Sequence, residues 1–326
     1  MKTVNWGVLG AANFALNHMA RALHEADGAR FAALATGTPA KAEPFRAFQP
    51  DLAVHPTYEA LLADPAIDAV YIPLPNHLHV EWTRKAMEAG KHVLTEKPIA
   101  MKAAEIDALI ALRDRTGLHA TEAYMIVHHP NWQKARALVR SGAIGAVRHV
   151  DAHFTYDLRD MENVRNRPET GGGSLPDIGV YTFGSARWIT GAEPLRLSSR
   201  ITRENGVDVF ALVQGDMEGP GGRFTYHSMT SMRLFPRQEV VFQGETGLIR
   251  VTGPFNAGLF AEAQTTLCRA GAHDEVFRFP GARQYKLQVE SFGRRVREGA
   301  AYPWSLEDAK GTQAMIDMAF AGEVRG

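Results

Sequence analysis

Strand-like and helix-like stretches alternate through about the first 120 residues of the chain. The first apolar run, Val4–Leu9, ends at Gly10 and is followed by an Ala-rich, helix-prone stretch. Later apolar runs at Asp68–Ile72 and His92–Thr95 are also followed by helix-prone segments. Strands separated by helices with short connections form parallel sheets that are covered by helices on both faces. We therefore predict an α/β fold in which residues 1–122 form a doubly wound parallel sheet that binds a dinucleotide.

The pattern changes after Tyr124, where strand-like segments follow one another without helices between them. A helix near Asn131–Arg140 precedes them. The strand-like segments are Val147–Tyr156, Arg196–Thr202, Val207–Gln214, Gly222–Met229, Glu239–Phe242 and Gly247–Val251. Strands this close in sequence pair in antiparallel or mixed sheets. We predict an α+β substrate-binding domain with a large, mostly antiparallel open sheet over residues 123–326, and we expect its last helix, about 305–321, to pack back on the first domain.

The length, charge and cysteine content of the chain fit two ordinary soluble domains and exclude several classes of protein. The 326 residues exceed one typical domain. The 36 acidic and 36 basic residues balance, so no net field attracts nucleic acid or an anionic membrane. The single cysteine, Cys268, cannot form a disulfide within the chain and suits a reducing compartment. No run approaches the roughly 20 apolar residues of a membrane span. We expect a cytoplasmic protein that acts on a small molecule.

A turn of small residues joins the first predicted strand to its helix. It has alanines where a dinucleotide-binding fingerprint usually has its second and third glycines. Small residues let the backbone approach a pyrophosphate at a helix N-terminus, although a turn that serves packing alone has the same composition. The candidate cofactor-binding residues of this turn are Gly10, Ala11, Ala12, Asn13 and Phe14.

The end of the second predicted strand bears on which dinucleotide binds. An NAD site normally has an acidic residue there, which holds the ribose hydroxyls. No Asp or Glu lies between Leu34 and Ala42. Hydroxyl groups and a lysine would instead suit a 2′-phosphate, and the candidates in this region are Thr36, Gly37, Thr38 and Lys41. We predict NADP as the cofactor, with NAD as the alternative.

Two further segments follow predicted strands at the carboxyl edge of the parallel sheet, where such sheets bind dinucleotides. Their candidate cofactor-binding residues are Pro73, Leu74, Asn76, His79, Glu96 and Lys97. Asn76 would either cap the next helix or face the nicotinamide ribose. No cysteine or carboxylate stands at ligand spacing from the paired histidines at 77/79 and 128/129, so no metal site is predicted.

Lys97, Asp177 and Tyr181 are the candidate catalytic residues. Oxidation of an alcohol carbon needs a hydride acceptor and a base for the hydroxyl proton. Asp177 and Tyr181 are four residues apart and would share one face of a helix. Tyrosine has an unperturbed pKa of about 10, and the ammonium of Lys97 would favour its phenolate. Either Tyr181 takes the proton and Asp177 binds a sugar hydroxyl, or Lys97 carries the proton and Tyr181 is its hydrogen-bonding partner.

Several ordered motifs cover most of the chain. They are the opening turn, Pro75–His79, Glu96–Pro98, Glu122–Met125, Gly171–Tyr181, Gly244–Gly247 and Tyr285–Phe292. Together they resemble the glucose–fructose oxidoreductase/inositol dehydrogenase/MocA (Gfo/Idh/MocA) family. With tyrosine at position 181, the chain is most similar to the branch that includes glucose–fructose oxidoreductase, dihydrodiol dehydrogenase and NADP-linked D-xylose dehydrogenase. The resemblance implies a Rossmann domain and an NAD(P)-dependent sugar dehydrogenase that oxidises an aldose, such as xylose or glucose, at the anomeric carbon.

The resemblance also bears on the substrate and on assembly. Arg165 resembles a substrate-domain arginine that precedes the glycine run. The family pattern Phe-Met-x-Arg-x-His-Pro appears with Val127 in place of arginine, and His128 would partly take its place. The candidate substrate-binding residues are therefore Lys97, Arg165, Asp177, Tyr181 and His128. Pairing of subunits through the open sheet of the second domain would give a homodimer or homotetramer.

The same residues leave other activities open. These are reduction of a ketosugar or dicarbonyl, oxidation of a trans-dihydrodiol, and oxidation of one sugar with reduction of another on a retained cofactor. NAD-dependent glycoside cleavage is the nearest hydrolytic alternative. The non-enzyme alternative is an NADP(H)-binding redox sensor, which has no need of Lys97, Asp177 and Tyr181 together.

Overall fold

The computed structural model describes residues 3–324, which fall into two compact units. The first unit comprises the described residues up to 100 together with 104–128 and 283–309. The second comprises 101–103, 129–282 and the described residues from 310 onward.

A six-stranded parallel sheet forms the centre of the first unit. Its strands are β1 Val4–Leu9, β2 Ala29–Ala35, β3 Ala53–His55, β4 Ala69–Ile72, β5 His92–Thr95 and β6 Ala120–Glu122, and its main helices are α1 Ala20–Glu25, α2 Glu43–Arg46, α3 Tyr58–Leu62, α4 His79–Glu88 and α5 Glu105–Thr116. The strand order is β3-β2-β1-β4-β5-β6, with every pair parallel. This confirms the predicted doubly wound sheet. The order reverses between β1 and β4, and the crevice beside such a reversal is where these sheets bind ligands.

Both faces of this sheet are buried, because the side chains of each strand alternate between two cores. On β4, Val70 and Ile72 join one core, whereas Ala69 and Tyr71 join the other. Strands buried in this way are nearly continuous apolar runs. That is why β1, β4 and β5 were visible in the sequence, whereas β3, with three residues, was not predicted.

An eight-stranded sheet forms the centre of the second unit. Its helices are α6 Pro130–Arg140 and α7 Val180–Thr190, and its strands are β7 Val147–Asp157, β8 Glu193–Glu204, β9 Val207–Gly219, β10 Gly222–Ser231, β11 Arg233–Gly244, β12 Gly247–Thr252, β13 Gln264–Arg269 and β14 Glu275–Arg278. The order is β14-β13-β12-β11-β7-β10-β9-β8. Among the described strands of this second sheet, only β7 and β10 are parallel neighbours. The predicted mostly antiparallel sheet is confirmed, although β13 and β14 were not predicted.

The two faces of the second sheet differ. On β7, Val150, Ala152 and Phe154 are buried, and α7 packs against this strand. The alternating residues His149 and Asp151 are half-buried on the opposite side. We call the side with Val150, Ala152 and Phe154 the helix face, and the side with His149 and Asp151 the open face.

The chain returns to the first unit after the second sheet. Helix α8 spans Gln284–Glu298, and its Phe292 ring lies 4.7 Å from the ring of Trp6. Val289 joins the same core. Residues 283–309 therefore belong to the first unit, whereas the sequence analysis placed them in the domain 123–326. A local pattern does not reveal this return, because the strand that α8 packs against lies at the opposite end of the chain.

The last helix, α9 Leu306–Ala321, is divided between the two units. Its first residues belong to the first unit, where Leu306 and Ala309 join the core and Glu307 pairs with Arg113 at 2.7 Å. From residue 310 onward the helix belongs to the second unit. Among residues 3–324, no helix has both the length and the apolar character needed to cross a membrane.

Candidate active site

The turn after β5 carries Lys97, and the neighbouring glutamate is held through both of its oxygens. Glu96 Oε1 accepts a hydrogen bond from the hydroxyl of buried Tyr71 at 2.6 Å, and Oε2 accepts one from the backbone N–H of Lys97 at 3.2 Å. The peptide bond between Lys97 and Pro98 is cis. These contacts order the backbone of Lys97, and the predicted role of Glu96 at the cofactor stays a prediction.

A second glutamate, Glu122 at the end of β6, holds the same turn. It accepts hydrogen bonds from the backbone N–H of Ile99 and from Trp304 Nε1, each at 3.0 Å. Glu122 is 2% exposed. Burial raises the pKa of its carboxyl to about 7, although the two donors and the charge of Lys97 oppose the rise. Glu122 was not among the predicted site residues, although it is the last residue of β6, the neighbour of the strand that ends before Lys97.

His79 connects the loop after β4 to the turn that carries Lys97. It is fully buried, and its two ring nitrogens each lie 2.7 Å from a backbone carbonyl oxygen, one of Leu74 and one of Pro98. Burial lowers the pKa of His79 to about 4. The neutral imidazole has one N–H and donates to one of these two carbonyls, so His79 joins the two segments; its predicted contact with the cofactor stays a prediction.

The other residues after β4 begin the next helix. Pro73 is half-buried and Leu74 is 9% exposed. Asn76 is half-buried and starts a short 3-10 helix, Asn76–Leu78, in which Pro75 occupies the N-cap position. Asn76 therefore does not occupy the helix cap position, and its predicted contact with the nicotinamide ribose stays a prediction.

The turn after β1 depends on a glycine. Gly10 has φ of 97°, and its N–H donates to the carbonyl of Ala35 at 2.9 Å. A Cβ at this position would lie 3.1 Å from Leu74 Cδ2 and 3.3 Å from the hydroxyl of Tyr58. Both the conformation and the space therefore require glycine.

The residues that follow this turn differ in exposure. Ala11 and Ala12 are half-buried, and Asn13 is exposed. Phe14 was predicted to contact the cofactor, and its ring lies 5.8 Å from that of Tyr285 in an edge-to-face arrangement. Phe14 thus packs at least partly against α8.

The loop after β2 combines one buried hydroxyl with exposed polar groups. Thr36 is 7% exposed, and its Oγ1 accepts a hydrogen bond from the N–H of Thr38 at 3.2 Å. The residues Gly37, Thr38 and Lys41 are exposed. Thr36 therefore shapes the loop, and of the four residues predicted for the 2′-phosphate, Thr38 and Lys41 are the ones with accessible polar side chains.

Asp177 lies at the centre of a network in the second unit. It belongs to a short π-helix, Leu175–Gly179, that continues into α7. Its Oδ2 accepts a hydrogen bond from the Tyr156 hydroxyl at 2.5 Å, and its Oδ1 lies 3.0 Å from Arg165 Nε. Asp177 is 8% exposed. Burial and the charge of Asp177 raise the pKa of Tyr156 well above its ordinary value, so Tyr156 stays a donor.

The glycine run fixes the backbone that carries Arg165. The N–H of Gly173 donates to the carbonyl of Arg165 at 2.9 Å, and a Cβ at Gly172 would lie 2.4 Å from that same oxygen. Gly173 has φ of 131°, and a Cβ there would lie 2.0 Å from Asp208 Oδ1. The run is therefore a close backbone approach that sets Arg165 beside Asp177.

Tyr181 lies on the same side of β7 as Asp177. Its ring centroid is 5.8 Å from that of Phe154 and 5.5 Å from that of Phe255, and it is 6% exposed. Tyr156, the partner of Asp177, is two residues after Phe154 and so shares the helix face. Arg165 also interacts electrostatically with Tyr181. The structure thus brings together Arg165, Asp177 and Tyr181 as predicted for this unit, and adds Tyr156, which no sequence motif marks.

His128 lies inside the first unit. Its ring is 5.0 Å from that of Tyr302, and the residue is 6% exposed. Burial, reinforced by the charge of Arg294, lowers the pKa of His128 to about 3. The predicted role in substrate binding finds no support in these contacts, which are those of a neutral core histidine.

Replacement of His128 by phenylalanine is expected to reduce the loss of stability in acid. The unfolded imidazole binds a proton near pH 6.5, whereas the native one does so only near pH 3, so unfolding takes up a proton in between. At pH 5 this costs the wild type about 2 kcal/mol. Urea unfolding of both proteins at pH 7.5 and pH 5 measures the difference. An equal pH dependence of stability in the wild type and the variant would contradict the assignment.

Comparison with family models covers most of the chain. Residues 4–124 match the model described as an oxidoreductase family with an NAD-binding Rossmann fold, named GFO_IDH_MocA. Residues 132–250 match the C-terminal domain model of the same family. The two matches cover the first sheet and the second sheet as far as the start of β12.

Full-length relatives agree with these matches. A dTDP-3,4-didehydro-2,6-dideoxy-α-D-glucose 3-reductase of Saccharopolyspora spinosa is 35% identical, over 100% of this chain and 97% of its own. The D-xylose 1-dehydrogenase (NADP(+)) 2 of Haloferax volcanii is 32% identical over 98% of each chain. The solved 3-ketoreductase KijD10 of Actinomadura kijaniata, in complex with NADP and TDP-benzene, is 27% identical with a TM-score of 0.88, over 99% of this chain and 98% of its own. The predicted resemblance is confirmed: the chain belongs to the Gfo/Idh/MocA family of oxidoreductases.

Proposed function

We propose that the protein transfers a hydride between NADP and a sugar, and that its preferred reaction is the oxidation of an aldose, such as xylose or glucose, at the anomeric carbon. In this reaction C1 gives a hydride to the nicotinamide, its hydroxyl proton passes to a base, and the C1–O bond becomes the carbonyl of a lactone. The support from the relatives is that those at 30% identity or above over most of the chain include an NADP-linked xylose dehydrogenase.

The network around Asp177 is the observation that carries the proposal. A polyhydroxylated substrate needs acceptors and donors of fixed orientation. Tyr156 and Arg165 fix both oxygens of Asp177. In our proposal Asp177 and Arg165 hold sugar hydroxyls and Tyr181 takes the proton, with Lys97 as the alternative proton carrier. The aromatic rings of Phe154 and Phe255 beside Tyr181 exclude water from one side of the phenol.

The first unit fits a dinucleotide. Gly10 has a positive φ and no side chain, so the backbone is bare where a pyrophosphate would approach. Residues Gly10 to Phe14 would hold the pyrophosphate, and exposed Thr38 and Lys41 would hold the 2′-phosphate. The cofactor, when bound, supplies the hydride acceptor.

Replacement of Lys41 by alanine is expected to raise KM for NADP while leaving KM for NAD nearly unchanged. The lysine is exposed in the loop after β2, where no acidic residue is available for NAD. Loss of one charged hydrogen bond to phosphate, worth about 1.5 kcal/mol, corresponds to about a tenfold rise in KM. Initial rates with both cofactors at saturating sugar measure the ratio. An equal change for NADP and NAD would show that Lys41 does not recognise the 2′-phosphate.

A sugar panel tests the activity directly. The initial rate of NADP reduction is measured with pentoses, hexoses and inositols, in parallel with NAD. We expect turnover with an aldose and NADP, and formation of the lactone. Absence of turnover with every sugar, together with measurable NADP(H) binding, would overturn the aldose reaction and favour a reductase or a sensor.

A specific observation favours a second candidate, the reduction of a 3-keto group on a nucleotide-linked sugar. The S. spinosa reductase and KijD10 both match over nearly the full chain, and KijD10 has been solved with TDP-benzene. NADPH oxidation with a dTDP-linked 3-ketosugar would distinguish this activity, since an aldose dehydrogenase has no need of the nucleotide.

We also infer that the protein is a homodimer or homotetramer through the open face of the second sheet. Three apolar side chains on this face remain half-buried. Leu212 and Met229 are register partners on β9 and β10, and Val241 on β11 is the register partner of Asp151. Light scattering on the eluted protein is expected to give a mass of two or four chains. Leu212→Glu should lower it, and a wild-type mass of one chain would contradict the inference.

A further inference from the structure

Three side chains that commonly bind metals meet on the open face of the second sheet. Asp151 and His153 are two positions apart on β7 and so project from the same face. His227 on β10 is the register partner of Asp151. One ligand atom from each of the three lies within 4.8 Å of the others. The sequence analysis predicted no metal, because it compared only histidines close together in sequence.

Asp151 holds the two imidazoles on separate oxygens. His153 Nε2 lies 2.8 Å from Oδ2, and His227 Nδ1 lies 2.7 Å from Oδ1. The cluster therefore contains one carboxylate and two imidazole nitrogens that converge on it.

This donor set has a known preference. Two imidazole nitrogens and one carboxylate oxygen, with a water in the fourth position, form a common zinc site, and the same set also binds other divalent first-row metals. An ion would take the place of the protons that now lie between the imidazoles and Asp151. The ligands come from adjacent strands of a sheet, so their spacing is set by the β-ladder.

A groove leads to the cluster along the open face. It has a volume of about 590 Å³ and includes His227 in its lining. Polar side chains of β8, β9, β10 and β7 line it, among them His149, Arg196, Gln214 and Thr225. In a single chain the groove gives a metal ion a route to His227 and gives a water ligand room, and a subunit paired through the open face would cover an ion bound there.

The cluster is separate from the residues proposed for sugar binding in the same unit. Asp177 and Tyr181 contact Tyr156 and Phe154 on the helix face of β7. Asp151 and His153 lie at alternate positions of the same strand, on the open face. An ion in the cluster would link β7 to β10, the parallel pair of the described sheet. Its expected effect is on stability rather than on hydride transfer.

We propose that Asp151, His153 and His227 bind a divalent transition-metal ion, with zinc as the first candidate.

The test uses the full chain, freed of metal by a chelator and titrated with Zn²⁺ by calorimetry. The wild type is expected to bind one ion per chain and to show a raised melting temperature with Zn²⁺. Removal of a residue that hydrogen-bonds to a zinc ligand weakens zinc binding roughly 10–100-fold. Removal of a ligand itself, in His227→Ala or Asp151→Asn, should therefore weaken binding at least about tenfold. His149→Ala is the matched control, because His149 lies on the same face but its Nδ1 contacts Thr225 Oγ1. It should bind as the wild type does.

Two results would overturn the proposal. One is a wild type that binds no Zn²⁺ specifically, which would leave the cluster as a hydrogen-bonded triad. The other is an equal loss of affinity in His149→Ala and His227→Ala, which would show binding by surface histidines in general. If a variant fails to fold, the wild type is loaded with Co²⁺ instead. Coordination by imidazole gives bound Co²⁺ visible absorption bands, which should disappear when Zn²⁺ replaces it, and absence of such bands would contradict the proposal. The rate of turnover should be unchanged in the presence of the chelator, both for aldose oxidation and for ketosugar reduction.

Discussion

Replacement of Tyr181 by phenylalanine is expected to lower kcat at least about 100-fold, the usual size of a lost general base. The substitution removes one hydroxyl and keeps the ring that packs on Phe154 and Phe255. Binding of NADP(H) should be unchanged, because no candidate cofactor residue lies in the second unit. Steady-state rates with the best sugar of the panel, together with cofactor titration by fluorescence, measure the two effects.

Tyr302→Phe is a matched control for this variant. Tyr302 is half-buried in the first unit, its ring packs against His119 and His128, and it has no proposed role in the reaction. It should keep near-normal turnover. If Tyr181→Phe also keeps near-normal rates, Tyr181 is not the base. Lys97→Met then becomes the deciding variant, because Lys97 is the alternative proton carrier.

The fold was largely visible in the sequence where burial is two-sided or strictly alternating. Strands β1, β4 and β5 are short runs that are buried along nearly their whole length, and β7 alternates between its two faces. The elements that were missed have weaker local signals. Strand β3 has three residues, and α8 finds its partner, Trp6, at the other end of the chain. Local periodicity carries no information about such distant contacts.

The candidate site was predicted where a motif marks it and missed where only the fold assembles it. Asp177, Tyr181 and Arg165 meet in the second unit as expected. Tyr156 joins them because β7 passes under α7, which no spacing in the sequence shows. His79 was assigned to the cofactor from its place after β4, and its ring nitrogens lie beside two backbone carbonyls. The type of a residue indicates which reactions and contacts its side chain can support, whereas its partners in the folded protein decide which of them it makes.

Replacement of Glu122 by glutamine is expected to change how stability depends on pH. Burial raises the pKa of Glu122 from 4.5 to about 7. Between these values the native carboxyl keeps its proton while the unfolded one has lost it, so unfolding releases a proton. The stability of the wild type therefore falls as pH rises through this window, by up to about 3 kcal/mol. Glutamine does not titrate, so the variant lacks this loss.

Urea unfolding of the wild type and Glu122→Gln at pH 5 and pH 8 isolates this effect, because buried His119 and His128 are common to both proteins and cancel in the difference. Glutamine presents an amide N–H₂ to one of the two donors, Ile99 N–H or Trp304 Nε1, so the variant is less stable at pH 5. The gap should narrow or reverse by pH 8. A constant difference between Glu122→Gln and the wild type at the two pH values would mean that Glu122 is ionised throughout, and that the charge of Lys97 and the two donors outweigh its burial.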